Sequence, residues 1–115
     1  MVSFLEKLNR VCAVKKSLLC VGLDPDLSKM PMGDVYDFNR YIVDATIDLV
    51  CAYKPNLAFY ESLGLDGLRD LGRTLDYIRS LPGDVLIIGD GKRGDIASSS
   101  AAYAVALFER WGFDA

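Results

Sequence analysis

The chain contains no histidine, and its three cysteines, Cys12, Cys20 and Cys51, form no Cys-x-x-Cys pair. A zinc centre and a disulfide framework are therefore both unsupported. The cysteines are expected to be buried free thiols in a reducing, cytoplasmic setting. Basic residues are also few: 13 Lys and Arg against 16 Asp and Glu leave a net charge of −3. That balance argues against nucleic acid as a partner, and any anionic ligand needs a local gathering of cations. No run of about 18 apolar residues is present to cross a membrane. The opening MVSFLEKLNRVCAVKK breaks its apolar residues with charge every few positions, unlike a secretory leader. What remains, 51% hydrophobic and 25% charged over 115 residues, is an ordinary globular composition.

Apolar patterning organises the chain. Ser3 and Glu6 have the spacing of a capping box ahead of a first helix, with Phe4, Leu5, Leu8, Val11 and Cys12 on one face. Ser17–Leu23 is apolar without alternation, the pattern of a strand buried on both faces, and it ends in the turn Asp24-Pro25-Asp26. A second helix is expected over about Phe38–Cys51, capped by Asp34 or Asp37, with Phe38, Tyr41, Ile42, Ala45 and Leu49 inward. A second strand covers Ala52–Leu57. A third helix carries Leu68, Leu71, Leu75 and Ile78 and stops at Leu81-Pro82-Gly83. The third strand, Val85–Gly89, precedes a fourth helix with Ala101, Ala104, Val105 and Phe108 inward, capped by Ser98, Ser99 or Ser100 and ended by Gly112; Phe113-Asp114-Ala115 would begin a further element.

Strands thus recur at roughly 33 residues with helices between. Such units imply an α/β fold on a parallel sheet with right-handed crossovers. A doubly wound sheet and a (β/α)8 barrel both fit. A barrel needs about 250 residues, so this chain would supply three complete units and the start of a fourth. In either architecture ligands bind at the carboxyl ends of the strands. Those ends carry Asp24, Lys54, and the set Asp90, Lys92 and Asp95 within GDGKRGD. Four charges in six residues after a buried strand suit a cleft better than a solvated loop. Arg93-Gly94-Asp95 also spells an adhesion tripeptide, a common chance match, and Gly89–Lys92 lacks the spacing of a nucleotide P-loop.

LLCVGLDPD, AYKPNLAFYES and GDGKRGDIASS, in this order and approximate spacing, resemble the orotidine 5′-phosphate decarboxylase family, in its bacterial subgroup with the longer chain. The resemblance covers residues 1–115 and selects the (β/α)8 TIM barrel, here its first three βα units and an N-terminal helix, as an incomplete portion of one barrel domain. It implies decarboxylation of orotidine 5′-monophosphate to UMP in pyrimidine biosynthesis. The implied catalytic tetrad is Lys54, Asp90, Lys92 and Asp95, with Asp24 and Lys54 holding the ribose hydroxyls. Asp95 and Ser99, the latter standing where Thr is usual, would reach the site of a partner in a homodimer. Gly91 stands where Ala is frequent.

Physical chemistry supports the tetrad. Loss of CO₂ from C6 of a pyrimidine leaves a localised carbanion, which the Lys92 ammonium could stabilise and protonate. Flanking carboxylates, Asp90 and Asp95, would keep that ammonium charged. No metal or organic cofactor is required. The substrate phosphate belongs to loops after the seventh and eighth strands, so the 115 residues alone are expected to be an inactive fragment with unpaired sheet edges. Two alternatives remain. One is a Mg²⁺-dependent sugar-phosphate decarboxylase or synthase of the same scaffold, which Lys54, at the place of an acidic metal ligand, disfavours. The other is a non-catalytic piece that only dimerises.

Overall fold

The computed structural model describes all 115 residues. In chain order they form α1 (Phe4–Lys15), β1 (Cys20–Leu23), α2 (Val35–Thr46), β2 (Ala52–Pro55), α3 (Leu57–Glu61), α4 (Gly64–Ser80), β3 (Leu86–Ile87) and α5 (Ala97–Ala104), with a π-helical continuation over Val105–Arg110. The strands make one parallel sheet in the order β1-β2-β3, with Cys20 opposite Ala52 and Ala52 opposite Leu86. Beyond β3, Asp114 N–H donates to the Ile87 carbonyl (2.8 Å) and Gly89 N–H to that of Ala115 (2.7 Å), so the chain's end runs hydrogen-bonded beside β3 without forming a fourth strand. No helix is long and apolar enough to cross a membrane.

Local chemistry accounts for the helix ends. Ser3 Oγ accepts from Glu6 N–H while the Glu6 carboxylate accepts from Ser3 N–H (2.8 Å), the reciprocal box expected at α1. Asp34, rather than Asp37, caps α2 through Asp37 N–H (2.8 Å). Asn56 caps the short α3, which the sequence pattern did not separate from its neighbours. Gly112, at φ +68°, ends the π-helical segment.

The main core lies between the sheet and α2, α3 and α4. Tyr53, Tyr60, Leu71, Leu75, Ile78 and Ile87 are buried there, each apolar side chain contributing about 1.5–3 kcal/mol by its removal from water. The α4 stripe Leu71, Leu75, Ile78 is as expected, with Leu68 at its margin. On α2 the expected face is met only in part. The helix spans Val35–Thr46 and buries Val35, Asn39 and Val43; Ile42 packs on the core and Phe38 is half-buried, but Tyr41, Ala45 and, beyond the helix end, Leu49 are exposed. Asn39 misled the apolar count: it is buried because its amide nitrogen donates to Tyr60 Oη (3.0 Å) and Thr74 Oγ1 (3.1 Å). Both hydroxyls spend their own protons elsewhere, on the Leu23 and Asp70 carbonyls, so each needs a donor.

Further corrections share one cause, a flank without a neighbour. β1 begins at Cys20 and is an edge strand, so Leu18, Leu19 and Cys20 are exposed and only Leu23 is buried. Of the three thiols, Cys51 alone is buried and Cys12 is half-buried. In α1 Val11 is buried, but Phe4 and Leu5 are not. Ala101, Ala104, Val105 and Phe108 are likewise exposed, since α5 packs chiefly on its own continuation. The three serines do not cap α5. The cap position is Ile96, and the Ser100 hydroxyl instead bonds back to the Asp95 carbonyl (2.7 Å).

Candidate active site

Register explains how residues distant in sequence meet. Gly22 lies opposite Lys54 and Leu23 opposite Pro55, so Asp24 comes level with Asn56. An isolated parallel bridge then sets Asn56 opposite Asp90. Residues two apart on a strand share a face, which puts Asp24, Lys54 and Asp90 on one side of the sheet at its carboxyl end. A Cβ on Gly22, opposite Lys54, would make only an ordinary contact with the Asp24 carboxylate, 3.5 Å from Oδ2. The Asp90 main chain is pinned from both directions, its N–H donating to the Pro55 carbonyl and its own carbonyl accepting from Leu57 N–H, each at 3.0 Å.

Two ammonium groups converge on the Asp90 carboxylate. Lys92 Nζ lies 2.6 and 2.7 Å from its two oxygens, and Lys54 Nζ lies 3.6 Å from Oδ2. Lys92 achieves this with φ +49°, an unusual value for a residue with a Cβ. The Lys92 hydrogen bond holds the Asp90 carboxyl below the usual carboxylate range; partial desolvation opposes this, and the charges of Lys92 and Lys54 reinforce it. Near Lys54, partial desolvation pushes the thiol of the otherwise exposed Cys20 up, against the lysine's charge. Asp24 accepts the Asn56 N–H on Oδ1 (3.2 Å).

Of the anticipated tetrad the structure gathers three members. Asp95 is exposed and turned into its own loop, where Oδ1 caps Ile96 N–H (2.7 Å), and it makes no ion pair with Lys92. Ser99 is half-buried and forms no side-chain hydrogen bond. Gly91 now has a partial account: a Cβ at 91 would lie 3.3 Å from Leu57 Cδ1, so glycine lets the start of α3 approach closely. The sequence pattern missed three supporting residues. Asn56 presents its N–H to Asp24, Tyr60 donates its hydroxyl to the Leu23 carbonyl (2.8 Å), and Arg93 pairs with Glu61. Asn56 and Tyr60 lie in the quoted AYKPNLAFYES stretch, but nothing in their local pattern announces partners 32 and 37 positions away.

A parallel strand–helix sheet with cations and carboxylates gathered at its carboxyl end defines an α/β protein whose charged rim is a candidate ligand site. Residues 17–114 match the family described as orotidine 5′-phosphate decarboxylase / HUMPS, and the chain belongs to that family. The orotidine 5′-phosphate decarboxylase of Thermomicrobium roseum is 52% identical over 120 residues, which cover 99% of this chain and 42% of the relative. Among solved structures, a Toxoplasma gondii chain assigned as an orotidine-monophosphate-decarboxylase superposes with a TM-score of 0.87 at 37% identity, covering 97% of this chain and 39% of that one. Leishmania donovani OMP decarboxylase gives 0.81 at 34% identity, over 98% and 42%. The three βα units here are therefore part of a (β/α)8 barrel, and the chain spans about two fifths of the length of the curated relatives it matches.

Proposed function

We propose that residues 1–115 are the N-terminal portion of a single barrel domain that decarboxylates orotidine 5′-monophosphate to UMP. The observation that carries this is the pair of ammonium groups, Lys54 and Lys92, on the single carboxylate of Asp90 at the carboxyl end of the sheet.

In this reading Lys92 faces C6 of the pyrimidine. It stabilises the carbanion left by departing CO₂ and delivers the proton that replaces it. Asp90 keeps Lys92 charged and oriented, and it repels the substrate carboxylate, a repulsion that ends when CO₂ leaves. Lys54 tempers the negative charge of Asp90 and, with Asp24, takes the ribose hydroxyls. Remote phosphate binding by the later barrel strands would add orientation at the reacting centre. Asp95 and Ser99 serve the site of a second copy in a homodimer. The outward placement of Asp95 in this chain supports that assignment, since it leaves Lys92 with one carboxylate neighbour rather than two. The reaction is that of a cytoplasmic metabolic enzyme, which suits the free cysteines.

The test is decarboxylation of orotidine 5′-monophosphate, followed by its ultraviolet absorbance, using the chain completed to a closed barrel. Metal-independent activity that disappears in Lys92→Ala is the expected result. A protein inert on this substrate but active on a sugar phosphate with Mg²⁺ would refute the assignment and keep the scaffold. Mixing Lys92→Ala with Asp95→Asn tests the shared site. Hybrid dimers are expected to regain activity that neither variant has alone, and an absence of recovery would place Asp95 in its own subunit's site.

A further inference from the structure

Between the pinned main chain of Asp90 and the start of α5, residues 91–95 form no backbone–backbone hydrogen bond. Gly94 has open space around it, Asp95 bonds only within residues 95–100, and Lys92 bonds only to Asp90. Yet Lys92 holds a left-handed backbone conformation, which persists only where the surroundings enforce it. Apart from the Lys92–Asp90 pair itself, Arg93 is the one side chain of this loop that bonds to a residue outside 90–100. Its guanidinium pairs with Glu61 at the end of α3, donates to the Gly91 carbonyl, and lies 5.7 Å from the centre of the Tyr103 ring of α5. Arg93 is also the less exposed of the two, with 27% of its side chain open to solvent against 74% for Lys92. A planar fork that bonds two ways and lies near an aromatic ring constrains a loop more tightly than a lysine could.

We propose that Arg93 is a positioning residue: anchored on Glu61, it fixes the 91–95 loop in the conformation that sets Lys92 Nζ against Asp90. The catalytic consequence rests on the proposed role of Lys92, whereas the structural one stands without it. The charged groups facing Asp90 are Lys54 and Lys92, with Asp24 on the same sheet face. Releasing the anchor frees Lys92 to move away, so the Asp90 carboxyl rises toward the ordinary range.

The experiment compares Arg93→Ala, Arg93→Lys and Glu61→Gln. Titration of the Asp90 carboxyl is read by carbon-13 NMR, and kcat and KM by turnover, both in the chain completed to a closed barrel. Arg93→Ala and Glu61→Gln should each shift the Asp90 titration upward and lower kcat by ~10²-fold with a smaller change in KM, the signature of lost alignment. Arg93→Lys, which keeps the pair with Glu61, should retain part of both. Glu61→Gln is the decisive variant. Neutralising Glu61 by itself drives a nearby carboxyl down, so an upward shift isolates the loss of position. An unchanged or lowered Asp90 titration in Glu61→Gln overturns the proposal, whatever Arg93→Ala does, because Arg93 would then act by charge alone. Should Arg93→Ala fail to fold, the surface substitution at Glu61 still decides. If the completed protein does not decarboxylate, the titration is still interpretable, and only the functional reading fails.

Discussion

Two charge clusters sit along the same sheet, and their difference is instructive. On the α1 side, Lys7 and Arg10 meet Asp84 and Asp114. Arg10 lies 2.7 Å from Asp84, and Lys7 lies 2.8 Å from Asp114 and 3.6 Å from Asp84. Asp114 Oδ2 also accepts the Ile87 N–H (2.8 Å), so this cluster is tied to the backbone and balanced, two cations against two carboxylates. At the carboxyl end, Lys54 and Lys92 share Asp90, two cations against one carboxylate. Exposure does not separate the clusters, since Asp90 and Asp114 are open to nearly the same degree, 22% and 21%. Pairing does. In the first cluster every charge is paired and α1 is stitched to β3, whereas in the second two ammonium groups converge on one carboxylate while Asp24, on the same sheet face, accepts only a backbone N–H.

The sharpest way to break this comparison is Lys92→Ala. In the completed protein it should lower kcat by on the order of 10³-fold or more, while thermal unfolding shifts by no more than an ordinary surface substitution, about 0.5 kcal/mol. Comparable losses of stability and turnover would show that the two clusters are alike. Asn39→Ala probes the layer beneath: it removes the donor shared by Tyr60 and Thr74. Urea unfolding should register a loss of about 1–3 kcal/mol, the cost of leaving buried hydroxyls short of a partner.

At the other cluster, Asp84→Asn should lower stability by up to about 1 kcal/mol and leave turnover unchanged. A fall in kcat would tie that end to the chemistry after all. The pH dependence gives the smallest effect. Burial works to raise the Asp84 carboxyl, but the Arg10 hydrogen bond and the Lys7 charge overcome it and hold the group low. A carboxyl lower in the folded than in the unfolded chain stabilises above the unfolded pKa of about 3.9 and loses that contribution as pH falls through the folded value. Wild type and Asp84→Asn should therefore differ by a constant amount above about pH 5 and converge in more acidic solution. Curves that stay parallel through the acid range would remove Asp84 from the account.

Much of this was legible before any coordinates. The capping box at Ser3, the α4 stripe and the charged residues at strand ends follow from local spacing, and local spacing is what a linear pattern records. The α2 face was legible only in part: Ile42 does pack on the core, but Asn39 is buried by partners on α3 and α4 that an apolar count ignores. The outward face of α5 was not legible, since Ala101, Val105 and Phe108 look inward-facing whether or not this chain supplies a neighbour. At the site, Asp24, Lys54, Asp90 and Lys92 were readable as strand-end charges, but their mutual distances depend on register. Arg93 was hidden behind its tripeptide and is engaged with Glu61, 32 positions away. Asp95 belongs with the others in the motif and apart from them in space.

The hydroxyl of Tyr60 has a consequence for how this protein can change over generations. It hands its proton to the carbonyl of Leu23, the residue just before Asp24, and takes one from Asn39, which also serves Thr74. A relay thus runs from the outer helices to the rim. Neutral drift on α2 and α4 is not free at positions 39 and 74. Lineages that vary there should vary together, and cold- or heat-adapted relatives that loosen or tighten this relay would shift the placement of Asp24 without altering any charged residue of the rim.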